Sequence, residues 1–527
     1  MRDYERKLAL LELQSICGDS RLRRDKDKIM IVARNRLSRK KLEDLTFFSE
    51  VVFRNGKGDL TIIPRQVKYE LSAKILKSNI EENNQKEIYE LIINGKSNSR
   101  QLRYLTHLMH EYKGRYNPQL CKALINIANL KKNALILDPF VGSGTTLLEC
   151  LLNGYNGIGL DLNPLSYLIT KVKVESLALD IKSLKVYTED LIRALQHKEN
   201  QKINNKTLGS LYSKIAFQAP TDLDYLKKWF PLRNLIQIFT IIPEIFRFTD
   251  KRIRNLFFLA LSDILIDLSY QDPGQLRIKR RSEEKVEKEV YQVYFSKIRY
   301  YCNIISTYQL VKPLQWKNGI RNYLGDTRNL RKVLGLSDDS VDLIVTSPPY
   351  ATALPYIDTD RLSLMLFGYI NKGSLRQLES RMIGNREITQ TERGRLEEEL
   401  VQDKIIPRSV KLLIMKIYKL NKYSSVGFRR KNTAALLYKY FSDMYQSMLE
   451  MHKVLKKNKY CLMVVGCNST RAGERDIFIP TDDFIGDIGE SIGFRLKTKL
   501  CLNIQPSYMI HKKNAIRRES VLFLIKG

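Results

Sequence analysis

Two short segments gather residue types that can do chemistry. The first is Thr346-Ser347-Pro348-Pro349-Tyr350, placed directly after the largely apolar run Val341 to Val345. That run reads as a buried parallel strand, and open α/β sheets carry their chemistry at the carboxyl ends of strands. The two prolines fix their own φ angles and Pro349 brings no N–H. The turn is therefore stiff, and its carbonyls can be aimed. Ser347 Oγ and the Pro348 carbonyl are acceptors, and Tyr350 adds a flat ring. Rigid acceptors beside a stacking face suit a planar base with an exocyclic amino group.

The second segment is Asp138-Pro139-Phe140-Val141-Gly142-Ser143-Gly144-Thr145-Thr146. The apolar Ala134 to Leu137 precede it, and Leu147 to Leu152 follow with helical spacing. The pattern is strand, glycine turn, helix. Gly142 and Gly144 let the backbone approach a ligand, and the helix start offers N–H groups to a carboxylate. The next strand, Gly157 to Leu160, ends at Asp161, where such folds hold a ribose diol. No Gly-Lys-Ser/Thr is present, and Leu147 occupies the third position of a Gly-x-Gly-x-x-Gly pattern, so neither a P-loop nor a dinucleotide fingerprint is formed. The plain alternative is a strand-to-helix turn without a ligand.

Asp138 to Thr146 resembles the S-adenosyl-L-methionine motif of amino-group DNA methyltransferases of the cytosine-N4 / adenine-N6 type, and Thr346 to Tyr350 resembles their catalytic motif. In that family Ser-Pro-Pro-Tyr is typical of cytosine N4 enzymes. Asp or Asn in the first place is typical of adenine N6 enzymes and of related RNA methylases. His110 to Leu120 is similar to the stretch that closes over the methionine end of the cofactor, with Glu111 and Lys113 as departures. Gly325-Asp326-Thr327-Arg328 resembles the turn whose Asp contacts the adenine. The resemblance covers residues 104–175 and 322–370, and more weakly 436–527.

The resemblance implies an α/β fold: a Rossmann-like seven-stranded methyltransferase sheet with a helical insertion and an N-terminal accessory segment. Tyr460 to Val465 reads as a strand and Glu519 to Ile525 as a last, edge-type strand, with Phe494 to Leu502 between them. By resemblance Tyr112, Asp138, Phe140, Gly142, Gly144 and Thr145 serve S-adenosyl-L-methionine, Asp161 its ribose and Asp326 its adenine. Ser347, Pro348, Pro349 and Tyr350 are the expected catalytic residues. The expected reaction is direct in-line attack of the base amine on the donor methyl, with the base flipped out of the duplex and no covalent enzyme intermediate.

Composition fits a polyanionic partner. The 527 residues hold 89 Lys and Arg against 57 Asp and Glu, a formal net charge of +32. Double-stranded DNA is the expected partner, RNA the second choice, and a separate restriction endonuclease a candidate companion. A membrane is not expected, since Leu256 to Tyr270 is short and carries Asp263 and Asp267. The seven cysteines show no Cys-x-x-Cys pair and the five histidines do not cluster with them, so no metal is expected. The charged N-terminus reads as no signal peptide, which gives a cytoplasmic expectation. Two rival readings stand beside the first: an RNA (tRNA) base-amine methylase, and a non-catalytic nucleic-acid-binding protein with a methylase fold.

Along the chain, residues 1–100 read as an accessory α+β segment, with helical spacing over Tyr4 to Cys17, a strand at Lys28 to Ala33 and a second helix over Lys41 to Val52. This pattern faintly resembles the RNA-binding region of tRNA methylases with a THUMP domain. Residues 101–175, 321–370 and 434–527 form the catalytic domain. Residues 176–320 are a mainly helical insertion, with a loop at Gln196 to Leu208 and buried helices over Leu223 to Phe248 and Arg252 to Tyr270. Residues 371–433 are a basic insertion and the candidate target-recognition region. Asp358 and Asp360 are expected to cap the following helix or pair with Arg361. Arg277, Lys279, Arg280, Arg281, Arg429 and Arg430 are the candidate nucleic-acid contacts, the alternative being a solvated charged face.

Overall fold

The computed structural model describes residues 3–17, 21–25, 28–32, 39–55, 58–77, 103–114, 117–198, 205–215, 222–275, 278–281, 286, 288–311, 319–351, 356–422, 426–503 and 518–527. Its centre is a seven-stranded sheet. In chain order the strands are β1 (Leu135–Asp138), β2 (Asn156–Asp161), β3 (Ile320–Leu324), β4 (Leu343–Thr346), β5 (Tyr460–Gly466), β6 (Phe494–Asn503) and β7 (Arg518–Lys526). Their order across the sheet is β6-β7-β5-β4-β1-β2-β3. β1 to β5 are mutually parallel, and β7 runs antiparallel to both its neighbours.

Alternate residues of the central strands feed two cores, the expected outcome for a sheet covered on both faces. Ile136, Leu343, Val345, Leu462 and Val464 pack under α1 (Asp3–Cys17) and α2 (Pro118–Ile127). Leu137, Ile344, Met463 and Val465 pack under α9 (Thr433–Val454) and α10 (Thr481–Ile492) on the other face. α3 (Thr145–Asn153) and α4 (Pro164–Glu175) follow β1 and β2 as crossover helices. A third core joins α4 to the helical insertion, chiefly α5 (Leu232–Phe246), α6 (Lys251–Ser262) and α7 (Val290–Val311), and to α8 (Tyr356–Leu366).

Several local expectations change. The last strand is interior: β7 bonds to β5 on one side and β6 on the other, and Ser520 to Lys526 are buried, so β6 is the edge. The stretch Lys41 to Val52 is helical only as far as Glu43, within Arg39–Glu43. The buried Glu12 carboxylate takes both the Thr46 N–H at 3.0 Å and the Thr46 hydroxyl at 2.7 Å, which draws the backbone out of a helix. The loop expected at Gln196 to Leu208 already contains the start of a helix, Asn205–Ile215. Leu223 to Phe248 is two helices, broken at Pro231, which lacks the N–H a continuous helix needs. The helix expected over Arg252 to Tyr270 ends at Ser262.

Part of the described N-terminal stretch lies on the sheet: α1 packs against α2 and β6, and Leu8, Ala9 and Phe47 share the core of β1, β4 and β5. Residues 371–433 form helices Lys372–Arg381, Gln390–Gln402 and Arg408–Lys422 and a short turn of helix, Phe428–Lys431, whose apolar side joins the α9 core through Leu396, Leu400, Val410 and Ile414. Among the described residues no helix is long and apolar enough to cross a membrane.

Candidate active site

Because β1, β2, β3 and β4 are parallel, Asp138, Asp161, the Gly325-Asp326 turn and Ser347 all come to one edge of the sheet. Asp161, Asp326 and Ser347 border a cleft there. Tyr112, Phe140, Gly142, Asp161 and Asp326 line one part of it, and Ser347, Pro348, Pro349, Tyr350 and Tyr356 another. Arg381, Met382 and Ile383 of the basic insertion complete the wall.

Asp138, Gly144 and Thr145 do not line the cleft. The Asp138 carboxylate accepts from Thr146 Oγ1 at 2.5 Å, Thr346 Oγ1 at 2.6 Å and the Phe140 N–H at 3.1 Å. It therefore bolts the glycine turn to the end of β4. Burial pushes its pKa up to about 6, against those hydrogen bonds. Gly144 has φ 81, and a Cβ there would lie 2.9–3.0 Å from Thr170, so only glycine fits this approach to α4. Thr145 is buried at the first position of α3.

Asp161 Oδ2 accepts the Gly142 N–H at 2.9 Å and Oδ1 the Asn163 N–H at 2.9 Å. Burial pushes Asp161 up to about 6. Asp326 is gripped by Arg328, which also pairs with Asp443 at 2.7 Å. Burial opposes it, yet the Arg328 guanidinium holds Asp326 below the usual carboxylate range. Tyr112 lies over Gly142, 3.4 Å from where a Cβ would stand, and its hydroxyl accepts from Ser166 Oγ at 3.2 Å. The strap that carries Tyr112 is held by the helical insertion: the His110 N–H donates to Tyr301 Oη at 3.0 Å and the Glu111 N–H to Asp263 Oδ1 at 2.9 Å.

The Ser-Pro-Pro-Tyr turn is fixed from four directions. The Tyr350 N–H donates to Tyr356 Oη at 3.0 Å, and Tyr440 Oη donates to the Pro349 carbonyl at 2.9 Å. Tyr350 Oη donates to Glu519 Oε1 at 2.7 Å, and its ring lies against Gly466, where a Cβ would come within 2.6 Å of it. Burial and the Glu519 carboxylate push the Tyr350 hydroxyl well above its usual pKa, so it remains a donor. Gly384, with φ 81, backs onto Pro349 Cβ and the Tyr350 carbonyl, each 3.2 Å from its missing Cβ.

Tyr356, Tyr440, Glu519, Arg381 and Gly384 were not among the sequence candidates. Only Tyr356, six residues beyond Tyr350, offered a local signal. Asp358 pairs with Arg361, which also holds Glu379 at 3.0 Å. Asp360 departs from expectation: it turns inward and accepts from Asn163 Nδ2 at 2.7 Å. Of the candidate nucleic-acid contacts, Lys279, Arg280, Arg429 and Arg430 are exposed, with Arg280 stacked 4.6 Å over the Tyr270 ring. Arg281 instead donates to the carbonyls of Asp267 and Ser269, each at 2.7 Å, so its guanidinium is taken up by its own fold. Arg277 lies outside the described residues. Among the described residues no group of His, Cys, Asp and Glu is arranged to hold a metal.

Comparison with known proteins gives this geometry its context. The family model for DNA methylases of the N6/N4 type matches residues 18–171, the part that includes the Tyr112 strap, the glycine turn and Asp161. Type II methyltransferase M.MvaI of Kocuria varians is 24% identical over 404 residues, 73% of this chain and 81% of that protein. Type II methyltransferase M.BsoBI of Geobacillus stearothermophilus is 23% identical over 426 residues, 74% and 78% of the two chains. A shorter stretch of 86 residues, 16% of each chain, is 40% identical to type II methyltransferase M.MjaII of Methanocaldococcus jannaschii. Motifs, sheet order and relatives agree: residues 18–171 match the DNA methylase family of the N6/N4 type, and most of the chain is similar to type II methyltransferases.

Proposed function

We propose that this enzyme moves a methyl group from S-adenosyl-L-methionine to an exocyclic base amine in double-stranded DNA, cytosine N4 first, by direct in-line attack on a base flipped out of the duplex. One observation carries the reading: Ser347 and Tyr350 share a single cleft with Gly142, Asp161 and Asp326. The cofactor suits these residues. Gly142 and Tyr112 leave a narrow backbone-lined slot, and carboxylates stand at the ends of two adjacent strands, where a diol and an amino-bearing ring find acceptors.

When bound, the cofactor supplies a methyl group on a positively charged sulfur. The rest falls to the chain. Asp161 takes the ribose and Asp326 the adenine edge, while Tyr112 and Phe140 cover the methionine arm. A base amine is a poor nucleophile because its lone pair is delocalised into the ring. Ser347 Oγ and the Pro348 carbonyl accept its two hydrogens and favour a pyramidal nitrogen. The Pro349 carbonyl already accepts from Tyr440, which supports Pro348 as the acceptor on this turn. Tyr350 stacks on the extruded base, its ring set by Gly466 and Glu519. No strong general base is required, since the proton leaves after transfer. Positioning and fixed dipoles supply the rate. The 371–433 insertion faces the DNA, with Arg429 and Arg430 on phosphates and Lys279 and Arg280 as outlying contacts. A separate endonuclease of matching specificity is the companion this reading implies.

The test is methyl transfer from labelled S-adenosyl-L-methionine to genomic DNA and to total tRNA, read by nucleoside mass spectrometry. N4-methylcytosine in the DNA is expected. N6-methyladenine would keep the enzyme class and correct the base, and label confined to tRNA would overturn the substrate.

A further inference from the structure

Asp360 is 6% exposed and sits on α8, one turn beyond the cleft-lining Tyr356. Its Oδ2 accepts from Asn163 Nδ2 at 2.7 Å and its Oδ1 from Thr359 Oγ1 at 3.1 Å. Asn163 is fully buried and works in three directions. Its side-chain amide donates to Asp360, its side-chain oxygen caps α4 by accepting the Leu165 N–H at 3.0 Å, and its backbone N–H donates to Asp161 Oδ1 at 2.9 Å. The buried Asp360 and the half-buried, cleft-lining Asp161 are thus joined through one residue. The nearest cation on a facing element, Lys113 of the strap, donates to the Gln275 carbonyl at 3.2 Å. Tyr112 of the same strap faces both carboxylates as a neutral phenol. On α8 itself, Asp358 and Arg361 pair with each other. Among the described residues Asp360 makes no ion pair. Buried carboxylates without a cation partner are costly, and the cost falls when a cation arrives.

The proposed donor carries a permanent positive charge on sulfur, and its thioether product has lost that charge. We propose that Asp360 is a positioning residue that, through Asn163, holds Asp161 toward the cleft and with it supplies the negative charge by which the site prefers the cationic donor to the spent product. This rests on the methyl-donor reading above. It gives the site a reason to release product after each turnover that does not depend on a moving lid.

The protonation of the pair supports the same view. Burial pushes Asp360 up to about 7, with the Asn163 and Thr359 hydrogen bonds and the charge of Lys113 opposing the rise and Asp161 adding to it. Asp161 itself stands at about 6. Near neutral pH the empty pair therefore retains part of a proton, and an entering cation expels it. Affinity for the donor should rise as pH increases through the range of these values, and affinity for the thioether should not.

Calorimetric titration of the full chain with S-adenosyl-L-methionine and with S-adenosylhomocysteine tests this, each at about pH 6.5 in buffers of low and high ionisation enthalpy. The expected result is release of a fraction of a proton with the donor and none with the thioether. Asp360→Asn should cut the release to the smaller share held by Asp161 and narrow the donor preference by about tenfold. Asn163→Ser, which keeps a helix-capping oxygen and the backbone N–H to Asp161 but loses the amide that reaches Asp360, should narrow it too. An Asp360→Asn protein that binds both ligands with the wild-type ratio and the wild-type proton release overturns the inference alone. Absence of binding heat with either ligand in the wild type overturns the donor reading and the inference together.

Discussion

The two insertions are both basic, and they use their charge in opposite ways. Residues 176–320 hold 24 Lys and Arg against 15 Asp and Glu, and residues 371–433 hold 15 against 7 in under half the length. In the first, Lys279 and Arg280 stay exposed but other cations turn to their own fold. Arg281 binds backbone carbonyls, Lys297 pairs with Asp263 at 2.8 Å, and Arg299 pairs with Glu189 at 3.1 Å. This insertion reaches the cleft only at second hand, by bracing the strap under Tyr112. The second insertion enters the cleft directly through Arg381 to Ile383 and leans Gly384 on the Ser-Pro-Pro-Tyr turn. It also shows Phe428, 52% exposed with Arg393 5.6 Å over its ring, beside the exposed Arg429 and Arg430. α9 begins three residues after Arg430, and Tyr440, which holds Pro349, is seven residues along it, about 10 Å at the rise of a helix. A basic insertion is therefore not a nucleic-acid contact by composition. What separates the two is whether guanidinium groups meet carbonyls of their own chain or point away from it.

That contrast can be broken most sharply at Gly384. Gly384→Val places a branched side chain at φ 81 against Pro349 and the Tyr350 carbonyl, and should lower kcat about 100-fold while leaving donor binding near wild type. Equal loss of donor binding would mean that the second insertion serves both halves of the cleft. Arg281→Ala strips the carbonyls of Asp267 and Ser269 of their donor. It should cost about 2 kcal/mol of stability in denaturant titrations with no change in DNA affinity. A fall in DNA affinity at unchanged stability would return Arg281 to the phosphate contacts. Asp263→Asn weakens the hold on the Glu111 N–H and frees Lys297, and is expected to raise the donor Kd about tenfold with DNA affinity intact. The smallest effect belongs to Arg429→Ala with Arg430→Ala. DNA affinity should drop about fivefold and the slope of log affinity against log salt should fall by about 2, measured by fluorescence anisotropy. The same double change at Lys251 and Arg254, on α6 of the first insertion, should leave both unaltered.

The glycine-turn side of the cleft was legible because each of its residues sits in a short motif at the end of a strand. A glycine turn and the acids at strand ends are placed by the strands they terminate, so Gly142, Asp161 and Asp326 arrive together once the sheet is parallel. The supports of the catalytic turn were not legible. Tyr440, Gly466 and Glu519 lie 90 or more residues beyond Pro349 and meet it only through the sheet, leaving no spacing to recognise. Asp360 was misjudged for a related reason, since a helix-start acid is normally a cap and only the partner Asn163 reveals that it faces inward. The interior place of β7 did have a signal. Val521 to Ile525 is an unbroken apolar run, the mark of a strand covered on both faces, whereas the true edge, β6, alternates with Arg495, Lys497 and Lys499.

The threading of β7 between β5 and β6 also orders events during synthesis. Both neighbours leave the ribosome before the strand that joins them, so a nascent chain carries two unpaired edges until residues 518–526 emerge. Pairings of such long range form slowly and expose the chain to aggregation meanwhile. Tyr350 waits on the same event, because Glu519, its hydroxyl partner, is 169 residues downstream. A product truncated before residue 518 would retain the glycine turn and the Ser-Pro-Pro-Tyr turn, yet the aromatic ring would lack its anchor. Under the proposed reading, competence to modify a base waits on that late stretch, and a copy lacking it would be held inactive by its own topology.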